Sequence, residues 1–342
     1  MAAAAPLAIG VDVGATKIAA ALVSRRGEVL ATSRRPTNRQ QGTAVVMDTI
    51  AALVNELLAQ GDTAVTGIGI GSPGWVDPEA GIVREAVNLD WRDVPLAAHI
   101  QSRIECDLPV YVHRDAYAEV LGEAYFGAGQ GCANFVYLGI GSGLGGGVIV
   151  NGQLVTGADN HASEIGHLSL DTDGRLCNCG LHGCAETVVS GTGVMNQARE
   201  LLDSGAYPAT LLDAADLSSQ QIIVAAEKGD GLATAVIQKT AGWLGQIIAM
   251  YTIILNPRRI VIGGGFGKEA FNLLLPGVRE VLRCRVLRSN QESLEIVPSK
   301  LASSAVGAAC LVWYTSSQAI IYNHLNEGGD AKVTQYLHQV NV

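Results

Sequence analysis

The 342 residues are 48% hydrophobic and only 16% charged, which excludes a disordered chain and leaves room for two well-filled cores. The formal net charge of -9 opposes non-specific attraction to a nucleic-acid backbone, so nucleic acid is not an expected partner. No apolar run approaches the roughly 20 residues of a membrane span, and the start from Met1 to Pro6 has no basic stretch or cleavage pattern, so no membrane role is expected and the cytoplasm is the expected compartment.

The first elements are strands. Residues 7 to 13 and 17 to 23 are apolar, β-prone runs, and a third near Val29 to Thr32 follows the turn Arg26-Gly27-Glu28, which predicts a three-stranded meander. In the turn Asp12-Val13-Gly14-Ala15-Thr16-Lys17, the backbone amides, the Thr16 hydroxyl and the Lys17 ammonium suit a phosphate, with Asp12 near its magnesium ion. An ordinary hairpin turn is the alternative. Between Gly42 and Gln60, Val45, Val46, Ile50, Leu53, Leu57 and Leu58 recur at helical spacing, and Gly61 supplies a stop. Val65 to Gly71 is a further strand, and Ser72-Pro73-Gly74 is a loop of the kind that carries ligands at a sheet end.

After a loop rich in Asp, Asn and Trp, residues 108 to 112 read as a strand and Asp115 to Gly127 as a helix with the aspartate at its amino end. The pattern then restarts. Phe135 to Ile140 is a strand, Gly141-Ser142-Gly143-Leu144-Gly145-Gly146-Gly147 a turn, and Val148 to Val150 a strand, so two similar halves are implied, their glycine turns clamping a polyphosphate. Helices between about 189 and 255, a strand Arg259 to Ile262 running into Gly263-Gly264-Gly265, and a helical segment from Ser303 to Trp313 follow. There is no Gly-x4-Gly-Lys-Ser/Thr, which argues against a Walker-type NTPase.

Three of the seven cysteines, Cys177, Cys179 and Cys184, lie within one short stretch ten residues after His167. One imidazole and three thiolates form the ligand set of a closed tetrahedral zinc site, and Asn178, Gly180 and Gly183 let the chain turn back on itself. Such a site is structural, with no open position for activating water. Simple packing of small thiols, or a disulfide, is the alternative.

On these residues the chain resembles the ROK family (repressors, open reading frames and kinases), within the sugar kinase, actin and chaperone ATPase superfamily, over about residues 7 to 312. Glu164-Ile165-Gly166-His167 leading to Cys177-x-Cys179-Gly180-x2-Gly183-Cys184-x-Glu186 resembles the family signature; Asp12-x-Gly14-x-Thr16-Lys17, Ser72-Pro73-Gly74, Asn88-Leu89-x-Trp91 and Gly263-Gly264-Gly265 support it. The resemblance implies an α/β fold of duplicated actin-like, ribonuclease H-like domains with the site in an interdomain cleft. The expected division is 1–117 plus about 306–342, and 118–305.

It further implies an ATP-dependent kinase acting on a hexose, hexosamine or sugar-like polyol, most simply at the 6-hydroxyl, with zinc, magnesium and a homodimer or homotetramer. Asp115 takes the place of the catalytic base; Gly74, Asn88, Arg114, Glu164, His167 and Glu186 are assigned to the sugar. Asp12, Gly14, Thr16, Lys17, Gly141, Ser142, Gly143 and the Gly263, Gly264, Gly265 turn are assigned to the nucleotide. His167, Cys177, Cys179 and Cys184 hold zinc. Physics supports the base, since a carboxylate at a helix amino end is stabilised as the anion and can accept a hydroxyl proton. A plain helix cap is the alternative for that aspartate.

Two departures bear on the substrate. Arg114 stands where the family usually has Asn, and Asp159-Asn160-His161-Ala162-Ser163 replaces a smaller, less polar run before Glu164. A sugar-sensing regulator without catalysis is the opposing reading, made less expected by the absence of a basic helix-turn-helix before residue 7.

Overall fold

The computed structural model describes residues 6–61 and 64–316; the segment after Ser316, to which no role was assigned, lies outside them. In chain order the first elements are β1 (Leu7–Val13), β2 (Lys17–Ser24), β3 (Val29–Pro36), α1 (Thr43–Gly61) and β4 (Val65–Ser72). Three short strands follow, β5 (Trp75–Asp77), β6 (Ile82–Ala86) and β7 (Trp91–Val94), then α2 (Leu96–Gln101), β8 (Val110–Arg114) and α3 (Asp115–Phe126). Next come β9 (Phe135–Ile140), β10 (Leu144–Val150), β11 (Gln153–Leu154), α4 (Glu186–Val189), α5 (Gly191–Asp203), α6 (Ser219–Glu227) and α7 (Gly231–Leu255). The last are β12 (Arg259–Gly263), α8 (Gly265–Glu269), α9 (Phe271–Arg285), α10 (Arg288–Ser293), β13 (Glu295–Pro298) and α11 (Ser304–Ser316).

The first sheet has the order β3-β2-β1-β4-β8, with β1 to β3 an antiparallel meander and β4 and β8 parallel additions. Its central strand β1 is apolar and buried almost throughout, as expected of a strand covered on both faces. The edge strand β3 carries Arg34 and Arg35 outward, and Arg35 pairs with Glu56, which blunts the edge. The second sheet repeats the order as β11-β10-β9-β12-β13. A meander followed by two further strands therefore occurs twice, which bears out the duplicated halves.

Val46, Ile50, Leu53, Val54 and Leu57 form the buried stripe of α1 and belong to the core of the first half. By length and hydropathy alone α1 would pass for a membrane span, contrary to the expectation that no segment comes near one, but its apolar stripe is spent on this core. The helix α11, nearly two hundred residues beyond α3, packs against β1, β4 and α3 of the first half. A Cβ on Gly10 of β1 or Gly69 of β4 would overlap the carbonyl oxygens of Ala305 or Ala308, so glycine lets α11 lie against the strand backbones.

By contact the chain groups into two units: residues up to Ala133 with Ile149–Ala162 and the described residues from Lys300, and Asn134–Val148 with Ser163–Ser299. This differs from the expected division after 117, because α3 belongs with β4, β8 and α11. The return is fastened by Glu123, fully buried on α3, whose carboxylate accepts from the backbone N–H groups of Ala128 (2.6 Å) and Leu301 (3.3 Å).

Three local expectations differ. The loop rich in Asp, Asn and Trp holds the antiparallel sheet β5-β6-β7, whose strands are too short for an alternation to show. Leu144 to Gly147 belong to β10, so the second glycine turn shrinks to Gly141-Ser142-Gly143. The strand expected over 108–112 runs from Val110 to Arg114, which hands the chain directly into α3 at Asp115.

Candidate active site

In the first unit the turn between β1 and β2 is closed by Gly14 N–H donating to the Lys17 carbonyl at 3.0 Å. The fully buried Thr37 braces it, its hydroxyl donating to Gly14 O at 2.6 Å and its N–H to Thr16 O at 3.0 Å. Thr16 and Lys17 are left exposed, as phosphate ligands need to be. Thr37 escaped sequence reading because it follows an edge strand and carries no motif.

Asp12, one residue before the end of β1, is half-buried. Burial pushes its carboxyl up to about 7, the Glu119 and Asp115 carboxylates add to this, and the Lys17 ammonium opposes it. A site that disfavours its own carboxylate in this way is relieved by a cation, so Asp12 fits the neighbourhood of a magnesium–nucleotide complex. Asp115 is the first residue of α3; the cap position itself is Arg114, so the plain-cap alternative does not describe it. The Asp115 carboxylate accepts from Ala116 N–H at 2.7 Å, at the positive end of the helix. Ser72 pairs with Arg114 in the parallel β4–β8 register, so Gly74 leaves the sheet beside this helix start. Gly74 has φ 86°, and a Cβ there would overlap the Glu85 carbonyl oxygen. Asn88 is exposed in a short 3-10 turn whose carbonyl accepts from Arg39 at 2.8 Å.

Arg114 is buried, 5% exposed, and its Nη1 donates to the Ala162 carbonyl at 2.8 Å. Its guanidinium lies 4.7 Å over the Tyr117 ring. The neighbouring His113 accepts the Arg114 backbone N–H at Nδ1 (2.9 Å), and burial together with the Arg114 charge holds its imidazole down to about 4, so it is neutral at pH 7. The two departures from the family pattern, at 114 and at 159–163, are thus in contact with each other.

In the second unit, Gly141 O accepts from Gly191 N–H at 2.8 Å, tying the glycine turn to the start of α5. Glu186 begins α4, and its Oε2 accepts from Leu144 N–H at 2.9 Å. A Cβ on Gly143 would stand 2.5 Å from that oxygen, so this glycine is needed for the glutamate as much as for any phosphate. In the third glycine run, Gly263 and Gly264 are pressed against Tyr137 and Ile140, while Gly265 faces open space at the start of α8. Glu164 and His167 are exposed, at the two ends of a 3-10 turn.

His167, Cys177, Cys179 and Cys184 do converge, with all four ligand atoms within 4.8 Å of one another. Cys179 Sγ and Cys184 Sγ are 3.7 Å apart, against the roughly 3.8 Å edge of a tetrahedron with zinc–sulfur bonds near 2.3 Å. His167 presents Nδ1 to Cys177 Sγ at 3.9 Å, which leaves Nε2 for another partner. All described cysteines are free thiols, so the disulfide alternative is not what the geometry holds. Burial pushes Cys184 up to about 12 and its two neighbours reinforce this; burial also raises Cys177, while for Cys179 burial is outweighed by hydrogen bonds, from Leu181 N–H first, that lower it. Three thiolates cannot share this space without a cation, and the donor set and spacing fit zinc. Arg175 braces the loop, with Nε and Nη2 on the Glu200 carboxylate at 2.8 and 2.5 Å and Nη1 on Thr187 O at 3.0 Å. Arg175 and Glu200 are too far apart in sequence for a motif to have flagged the pair.

Comparison with known proteins bears on the family of the chain. The ROK family pattern matches residues 8–314. A glucokinase of Halalkalibacterium halodurans is 38% identical over 275 residues, 78% of this chain and 83% of that protein. Among solved structures, a ROK family glucokinase from Streptomyces griseus in complex with glucose and AMPPNP has a TM-score of 0.77 at 33% identity, covering 89% of this chain and 98% of that one. A ROK family transcriptional regulator, a homolog of the E. coli MLC protein, has a TM-score of 0.81 at 28% identity, covering 94% of this chain and 81% of that one. With the repeated sheet order, the cysteine–histidine cluster and a family match across nearly all described residues, this chain belongs to the ROK family.

Proposed function

We propose that this chain, an ATP-dependent carbohydrate kinase by its family and relatives, transfers the γ-phosphoryl group of ATP to the 6-hydroxyl of a hexose or hexosamine, with Asp115 as general base. The observation that carries the reading is Asp115 at the first position of α3, electrostatically coupled to Asp12, whose turn presents Thr16 and Lys17 outward. Asp115 accepts the hydroxyl proton as the oxygen attacks phosphorus, and the Thr16, Lys17 and Gly141–Gly143 groups take the charge of the phosphates. Magnesium, held near Asp12, neutralises phosphate charge when bound. Glu164, His167 and Glu186 accept from and donate to sugar hydroxyls; Glu186 enters this role already oriented by Leu144 N–H. The zinc loop fixes His167 and takes no part in the chemical step. The oligomeric state proposed is the homodimer or homotetramer of the family resemblance.

The test is Asp115→Asn. It should lower kcat by about 10³-fold while sugar binding stays within a few-fold of wild type. Unchanged turnover removes Asp115 from the mechanism.

A second reading, a sugar-sensing regulator that has lost catalysis, is favoured by the likeness to the transcriptional regulator and by the commitment of Arg114 to Ala162. A screen of hexoses, hexosamines and cyclitols for ADP release separates the two. Release with none of them, alongside measurable sugar binding, selects the regulator.

A further inference from the structure

The buried Arg114 guanidinium donates to the backbone carbonyl of Ala162, and the phenolic O–H of Tyr117 donates to the same oxygen at 2.6 Å. Tyr117 is fully buried, with Arg114 over one side of its ring and the His113 imidazole edge-on at 5.0 Å. The carbonyl they hold closes a tight loop. Ala162 N–H donates to Thr156 O at 2.9 Å, Gly157 has φ 75° and lies close against Ala162, and Asn160 adopts the left-handed region at φ 59°. At the tip of this loop His161 packs against Trp75, ring centroids 4.9 Å apart. Trp75 follows Gly74 off the end of β4, next to the start of α3, and is 43% exposed, whereas Trp91 and Trp313 are 2% exposed.

We propose that Arg114 and Tyr117 are positioning residues that lock the Thr156–Ala162 loop, and that the Trp75–His161 pair it holds is the acceptor-selecting wall beside Asp115. Two donors on one carbonyl, one of them charged and buried, register a loop more tightly than packing alone, and they fix His161 against the indole. An exposed indole face flanked by a ring nitrogen offers an apolar plane with a polar edge. It stacks on the C–H face of a ring polyol such as a pyranose, and an acyclic polyol presents no such face. Selection of the acceptor is thereby moved from the residue before the base, which is buried here, to the loop that residue anchors. The identity of the acceptor rests on the kinase reading; the locking of the loop does not.

The experiment uses the full chain and the variants Arg114→Ala, Arg114→Lys, Tyr117→Phe, Trp75→Ala and Trp75→Phe. Hydrogen–deuterium exchange of peptides covering 156–163 reads the lock. Arg114→Ala should speed exchange there by about tenfold, with Tyr117→Phe intermediate and Arg114→Lys partly restored. Tyr117→Phe keeps the ring and remains informative if Arg114→Ala fails to fold. Steady-state kinetics with glucose and with sorbitol read the wall. Trp75→Ala should raise the glucose KM by about tenfold, more than it lowers kcat and with a smaller change in the ATP KM, Trp75→Phe should recover most of it, and sorbitol should remain a poor acceptor throughout. Wild-type exchange in both Arg114→Ala and Tyr117→Phe, or a wild-type glucose KM in Trp75→Ala, overturns the proposal and leaves the kinase reading intact. If no acceptor is phosphorylated, the kinase reading falls and binding decides: glucose protecting the wild-type fluorescence from acrylamide, and not that of Trp75→Ala, supports the wall, while equal quenching with and without glucose overturns it.

Discussion

Cys184 illustrates how a single residue serves a fold and a site together. Its thiol is fully buried, and the next residue but one is Glu186, so a metal held by Cys184 would also fix where the glutamate begins its helix. Removing the metal with a chelator, or making Cys184→Ser, should lower the thermal midpoint by at least about 5 °C and raise the sugar KM more than the ATP KM. Metal analysis should find one zinc per chain in the wild type. A metal-free protein with the wild-type midpoint and KM would remove the structural zinc. These ligands were legible in the sequence because thiols and an imidazole at close spacing have few other uses. The Arg175–Glu200 brace, Thr37 behind the β1–β2 turn and the burial of Arg114 were not, since each depends on partners brought together by folding.

At the scale of elements, helix periodicity and apolar runs located the long pieces, such as α1 and β1, because one buried face imposes a pattern over many residues. The three-stranded sheet β5-β6-β7 imposed none, its strands having three to five residues. Glycines separate into those that permit contact and those that do not. Gly69→Ala forces a methyl into the α11 backbone and should cost about 3 kcal/mol or prevent folding, as measured by urea denaturation. Gly242→Ala, in α7 with nothing within 4 Å of the added Cβ, should be neutral or stabilising by about 0.5 to 1 kcal/mol. Equal midpoints for the two variants would contradict the close packing of α11 on the sheet.

For the whole molecule, the unit that carries Asp12 and Asp115 is assembled from three separate stretches of chain, the last beginning at Lys300. Val306, Ala308, Ala309, Cys310 and Leu311 of α11 are all nearly or fully buried there. A chain ending at Ser299 should therefore lose the cooperative unfolding of this unit and precipitate or bind a hydrophobic dye, which circular dichroism and calorimetry would record; a full-amplitude transition would contradict it. The sequence by itself determined the family, the repeated strand, glycine turn and strand arrangement of two halves, and which residues are candidates for the site, because ligand type, glycine turns and buried periodicity are written locally. Only the tertiary structure decided which stretches form each unit, that Arg114 turns to a loop carbonyl, and that Trp75 meets His161. Those outcomes depend on contacts between residues distant in the chain, whose side chains compete for the same few buried partners and leave no periodic trace.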